Sequence, residues 1–139
     1  MDGRLIDYFN KQPRLATFST ADKHGKVNSA IFGSPRMINE KTVIVTLRNN
    51  RTFANLRENP YAVFAIMEPG KTSPDWKGIR VYLKMIDFQT AGENLETART
   101  HVAQRLVETT AKLVHALVTF EVYDVRPLND SGQGWEAAI

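Results

Sequence analysis

Six apolar or β-branched runs recur along this chain: Arg14 to Thr20, Lys26 to Phe32, Thr42 to Leu47, Tyr61 to Met67, Ile79 to Met85 and Val114 to Tyr123. Most of the connections between them are too short for a parallel crossover, which takes about a dozen residues or more. Ala21-Asp22-Lys23-His24-Gly25 is a polar loop ending in glycine that reads as a hairpin, and Asn39-Glu40-Lys41 reads as a turn before the run that starts at Thr42. The chain is therefore constrained to an antiparallel sheet. From Ile79 to Met85, Ile79, Val81, Leu83 and Met85 alternate with Arg80, Tyr82 and Lys84, so one face enters a core and a polar face is open to a ligand. Tyr61 to Met67 is apolar on both faces and needs cover on both, as in a closed barrel with helices or a partner outside it.

Three helices are expected between the strands. Leu5, Ile6 and Phe9 share one face of a short helix over Gly3 to Asn10, stopped by Pro13. A second runs from about Thr52 to Asn59. A third covers Glu93 to Glu108, where Leu95, Ala98, Val102 and Leu106 fall near helical spacing. The segment EPGKTSPD, Glu68 to Asp75, is a loop, as is the tail from Pro127. The expected fold is a six-stranded antiparallel barrel with peripheral helices, forming one domain over residues 1–139.

The 139 residues are enough to bury a core, and 42% hydrophobic with 24% charged residues is ordinary for a soluble protein. No apolar run reaches the roughly 20 residues of a bilayer-spanning helix. The N-terminus MDGRLIDYFNK lacks a signal pattern, so the expected location is cytoplasmic, without membrane association. The lack of cysteine excludes disulfides and thiolate chemistry. The net charge of +3 is spread among acids without a basic stripe, which argues against nucleic acid and suits a small anionic ligand.

Such a ligand has a place to bind. In VIVTLRNNRTFANLRENP, Val43 to Pro60, an apolar strand ends at a polar turn carrying Arg48 and Arg51 and then enters a helix. Helix-start amides, the positive end of the helix dipole and guanidinium forks together suit a phosphate, with Thr52 adding a hydroxyl. The bland alternative is that the arginines are solvated and that Asn50 or Thr52 serves only as the helix cap.

Taken with VNSAIF (Val27 to Phe32) and GIRVYLKM (Gly78 to Met85), this segment resembles the pyridoxamine 5'-phosphate oxidase-like family of FMN-binding split barrels, especially its small single-domain members. The likeness runs from Leu15 to Val125 and is carried by the order and spacing of the motifs. It implies FMN as cofactor, a homodimer with flavin at the interface, and a redox or oxidoreductase role on an unidentified substrate. Position by position, Arg51 and Thr52 match the phosphate-binding pair. Val45, Thr46 and Leu47 match the strand end that hydrogen-bonds the flavin, and Asn28, Ser29 and Ala30 the strand beside its ring. Arg80 stands where members often place a polar contact, and Trp135 matches aromatic tail residues that can cover the ring. Arg48 is nominated on electrostatic grounds alone.

The resemblance stops short of the parent enzyme. The tail RPLNDSGQGWEAAI has one arginine and no histidine, so the basic, histidine-containing motif that clamps the substrate phosphate is missing and oxidation of vitamin B6 is not expected. No catalytic acid or base is identifiable. A non-catalytic flavin or electron carrier, or a split barrel holding haem or a deazaflavin, stays open at this point. Gly70-Lys71-Thr72 echoes a P-loop, but Ala65 replaces the upstream glycine and Pro74 blocks the helix. His24, His101 and His115 have no i, i+3 or i+4 pairing for a metal, and no serine sits in a nucleophile elbow.

Overall fold

In the computed structural model, which describes residues 3–105 and 111–139, the alternating runs form one antiparallel sheet with helices on its outside. Helix α1 (Arg4–Asn10) leads into β1 (Leu15–Ala21), β2 (Val27–Ile31), β3 (Arg36–Asn39) and β4 (Thr42–Leu47). Helix α2 (Arg51–Glu58) follows, then β5 (Tyr61–Glu68), β6 (Lys77–Gln89), α3 (Glu93–Arg105) and β7 (Ala116–Pro127). The sheet order is β2-β1-β5-β6-β7-β4-β3, and every neighbouring pair is antiparallel.

Alternation selects the core. Ala16 and Phe18 of β1, Val43, Val45 and Leu47 of β4, Phe64 and Ile66 of β5, Val81 and Leu83 of β6, and Val118 and Phe120 of β7 all point inward and are buried. Phe18 sits at the centre, its ring 5.4 Å from Phe32, 6.1 Å from Phe64 and 5.6 Å from Phe120. Burying each such ring contributes about 1.5–3 kcal/mol. Strands β5 and β6 close tightly where Met67 faces Gly78, a glycine with φ 139°. A side chain there would meet the Ile66 carbonyl oxygen at 1.9 Å.

The sheet has seven strands where the sequence suggests six. The additional strand, β3, is four residues long, follows Pro35, and buries only Met37, so it carries too little alternation to register as a strand. It is held on one side by β4. On the other, the Asn10 side-chain amide mimics a neighbouring strand: its Nδ2 donates to Met37 O at 2.8 Å and its Oδ1 accepts from Met37 N at 2.9 Å. The sheet is also open instead of closed, because the end strands β2 and β3 do not pair with each other. β6 continues to Gln89, beyond the expected Met85, by way of a register shift between Met85 and Asp87. The third helix is described from Glu93 to Arg105; Leu106 and Glu108, expected to continue it, lie outside the described residues.

Candidate functional site

The open side of the barrel is where backbone pairing runs out. β2 pairs only with β1, so its other edge is free. β3 pairs with β4 only as far as Ile44, so Val45, Thr46 and Leu47 are paired with β7 but have no strand on their other edge. Unpaired strand edges present rows of N–H and C=O groups. A cleft of about 550 Å³ lies between them, lined by Ala30, Phe32, Ser34, Thr46, Arg48 and Asn50 among others. That size is typical of a small-molecule or cofactor site.

The wall joining the two edges, Phe32 to Pro35, is fixed from both sides. Ser34 Oγ donates to Thr46 O at 3.0 Å. The Arg14 guanidinium donates to the carbonyls of Phe9, Gly33 and Pro35. It also stacks over the Phe64 ring at 4.9 Å, a contact that favours a guanidinium over an ammonium. Nothing local in the sequence marks Arg14, since its partners are distant in the chain.

At the rim of the cleft, α2 begins. Asn50 is its cap: Oδ1 accepts from Phe53 N at 3.1 Å, and Asn50 O accepts from Ala54 N at 3.0 Å. The first two amides, those of Arg51 and Thr52, have no partner within the helix. Arg48 and Arg51 are exposed, and neither has an ion-pair partner among the described residues. Thr52 is turned inward at 2% exposure, whereas Arg48, Asn49, Asn50 and Arg51 all face solvent. Deeper in, Asn55 Nδ2 donates to Thr20 Oγ1 at 3.1 Å and docks α2 on β1.

The nominated residues divide by position. Ala30, Thr46, Leu47 and Arg48 line the cleft, and Arg51 and Thr52 follow directly on its lining residue Asn50. Asn28 is half-buried on β2, while Ser29 faces outward with its Oγ 3.1 Å from Ser19 Oγ. The Val45 side chain is fully buried in the core, which leaves only its backbone for a ligand. Trp135 lies in a single 3₁₀ turn, Trp135–Ala138, packed on its own core. Arg4 pins that turn by donating to Glu136 O at 2.6 Å and Ile139 O at 3.2 Å. Asn50, Phe32 and Ser34 join the lining without having been singled out as ligand contacts; of these only Asn50 carried a signal, as a possible cap.

Arg80 is engaged on the outer sheet face away from the cleft. It donates to Pro127 O at 3.2 Å, Tyr82 Oη at 3.0 Å and Asp130 Oδ2 at 3.1 Å. Asp130 also accepts from Arg126, at 2.7 and 2.8 Å, and from Gly132 N at 2.8 Å. Its bond with Arg126, helped by the Gly132 amide and the charge of Arg80, holds its carboxyl below the ordinary carboxylate value of 3.8. A depressed carboxylate stabilises the folded state above the unfolded pKa, and that contribution is lost as pH falls through the folded one. The melting-temperature gap between wild type and Asp130→Asn is thus expected to hold between about pH 7 and 5 and to close below about pH 3.8. A gap that does not change with pH would show that the carboxylate charge is not what ties the tail down.

No protein-family model and no curated protein matches the sequence. Solved structures do. An FMN-binding protein of Syntrophomonas wolfei superposes with a TM-score of 0.73 at 23% identity, covering 91% of this chain and 84% of that one. HutZ of Vibrio cholerae, described as a haem-storage protein, gives 0.62 at 17% identity over 95% and 96%. A Lactobacillus delbrueckii protein provisionally named a pyridoxamine 5'-phosphate oxidase gives 0.63 at 11% over 90% and 92%. These superpositions span nearly the whole sheet and its helices, and the chain has the split-barrel fold of the pyridoxamine 5'-phosphate oxidase-like proteins.

Proposed function

We propose that this protein is an FMN-binding redox flavoprotein acting as a homodimer. The observation that carries the reading is the cleft between two unpaired strand edges, with Arg48 in its lining and Arg51 directly after its lining residue Asn50, at the start of α2. FMN has a ring edge of alternating N and O atoms, which backbone groups of Thr46 and of β2 would hold, and a ribityl phosphate for which Arg48 and Arg51 would supply the charge. The bound flavin would supply hydride or electron transfer, while the protein orients it and excludes water. FMN is preferred to haem here because its phosphate has a counterpart in the cationic helix start; of the three histidines none lines the main cleft, and His101 lines the smaller space that shares Ser34, Thr46 and Val102 with it. FMN added to the purified chain should bind one per protomer with quenched flavin fluorescence. Binding of haem in its place, with no response to FMN, would overturn the reading.

The dimer rests on the outer face of β2, β1 and β5. Register places Ile31 beside Thr17 and Ala65, and Ser29 beside Ser19 and Val63, making a stretch of sheet face without charge. Val27 and Ile31 stand at its edge, 85% and 80% exposed. Apolar side chains that open to water on a flat sheet face mark an association surface. Sedimentation at micromolar concentration is expected to give twice the chain mass. A monomer that binds FMN tightly would exclude a shared site.

A further inference from the structure

Helix α3 lies over the outer face of β4 and β7, and beneath it a further cavity of about 100 Å³ is lined by Arg36, His101, Ala98 and Ile44 together with Ser34, Thr46 and Val102. The last three also line the main cleft, so the two spaces adjoin. We propose that this smaller cavity is a carboxylate subsite, in which the solvent-exposed side chains of Arg36 and His101 hold the acid group of a small organic acid whose remainder extends toward the main cleft.

Three features support the assignment. Among the described residues no carboxylate lines either space, whereas Arg36, His101 and Arg48 do. Arg36 has no ion-pair partner among the described residues. The nearby acid on α3, Glu96, is bound instead by Arg99, which also donates to Val114 O at 3.1 and 2.8 Å and so fastens α3 over the cavity. A guanidinium fork beside an imidazole suits a planar carboxylate, and the small volume admits only a compact group. Arg36, on β3, lines the smaller cavity, and Arg51, on α2, does not, so a flavin phosphate and a substrate carboxylate would not compete. The assignment of the ligand as a flavin substrate rests on the function proposed above; the subsite itself does not.

The test uses ring-labelled histidine in the full chain, with the His101 signal assigned by His24→Gln and His115→Gln, and succinate and succinamide as probes. Succinate is expected to shift the His101 resonance saturably and about tenfold or more tightly than succinamide. Arg36→Gln should weaken succinate about tenfold, Arg36→Lys less, and Arg51→Ala not at all. Saturating FMN should leave succinate binding in place. Equal response to the two probes, full retention in Arg36→Gln, or displacement by FMN would each overturn the subsite. Succinate binding with no FMN binding would support the subsite and overturn the flavin reading, which keeps the two failures distinct.

Discussion

Replacing Arg48 and Arg51 together by alanine is expected to weaken FMN about a hundredfold and to leave riboflavin nearly unchanged. Each guanidinium can offer a phosphate a charge-assisted hydrogen bond of about 1.5–3 kcal/mol, and each 1.4 kcal/mol is about tenfold in affinity. Arg51→Ala alone should therefore cost about tenfold and the double variant about the sum of the two, each at the low end of that range because both arginines are solvent-facing. Riboflavin has no phosphate, so under the proposed function it would use the strand-edge contacts near Thr46 and none of the rim. Folding is not at risk, since both side chains are exposed and unpaired among the described residues. Fluorescence titration with both flavins decides the matter. Parallel losses for the two ligands would show that the arginines do not hold the phosphate and that the polar turn is ordinary surface.

Gly78→Ala is expected to destabilise the fold by about 4 kcal/mol or more, a large share of the roughly 5–15 kcal/mol that a domain has. Two effects add. Gly78 has φ 139°, which an alanine adopts only with strain, and the new methyl would lie 1.9 Å from Ile66 O and 2.9 Å from its carbon. The obstacle is backbone in a paired strand, so relief requires β5 and β6 to separate. Gly78 O also accepts from Leu128 N at 2.9 Å, so the tail would shift with it. Urea unfolding followed by circular dichroism should show the midpoint fall sharply with an unchanged slope. A midpoint within experimental error of wild type would mean that the strands pair less closely there than the geometry indicates.

Much of the architecture was legible because it depends on local alternation. Val81 and Leu83 enter the core, and Phe64 and Phe120 meet Phe18, because a period of two sends every second residue inward. β3 was not legible, because its partner on one side is the Asn10 side chain, 27 residues away from Met37. The site shows the same division. Arg48, Arg51 and the Asn50 cap could be read as a strand–turn–helix unit, since all of them act within one turn of chain. Arg80 could be read as a polar residue on a strand, but its engagement by Asp130, 50 residues away, belongs to no local pattern. The same holds for Arg14, which holds the wall of the cleft through carbonyls as distant as Pro35.

By itself the sequence determined an antiparallel sheet, its core face, and a cationic turn at the start of a helix, since hydrophobic periodicity, connection length and residue charge are properties of short segments. Only the tertiary structure decided that the sheet stays open between β2 and β3, that β4 keeps a free edge beyond Ile44, and that α3 lines a second space adjoining the cleft. These outcomes depend on which strands run out of partners and on where distant side chains such as Asn10, Arg14 and Arg99 find backbone carbonyls. Such pairings are settled by competition among all the elements at once, because each buried polar group must find a partner somewhere in the fold.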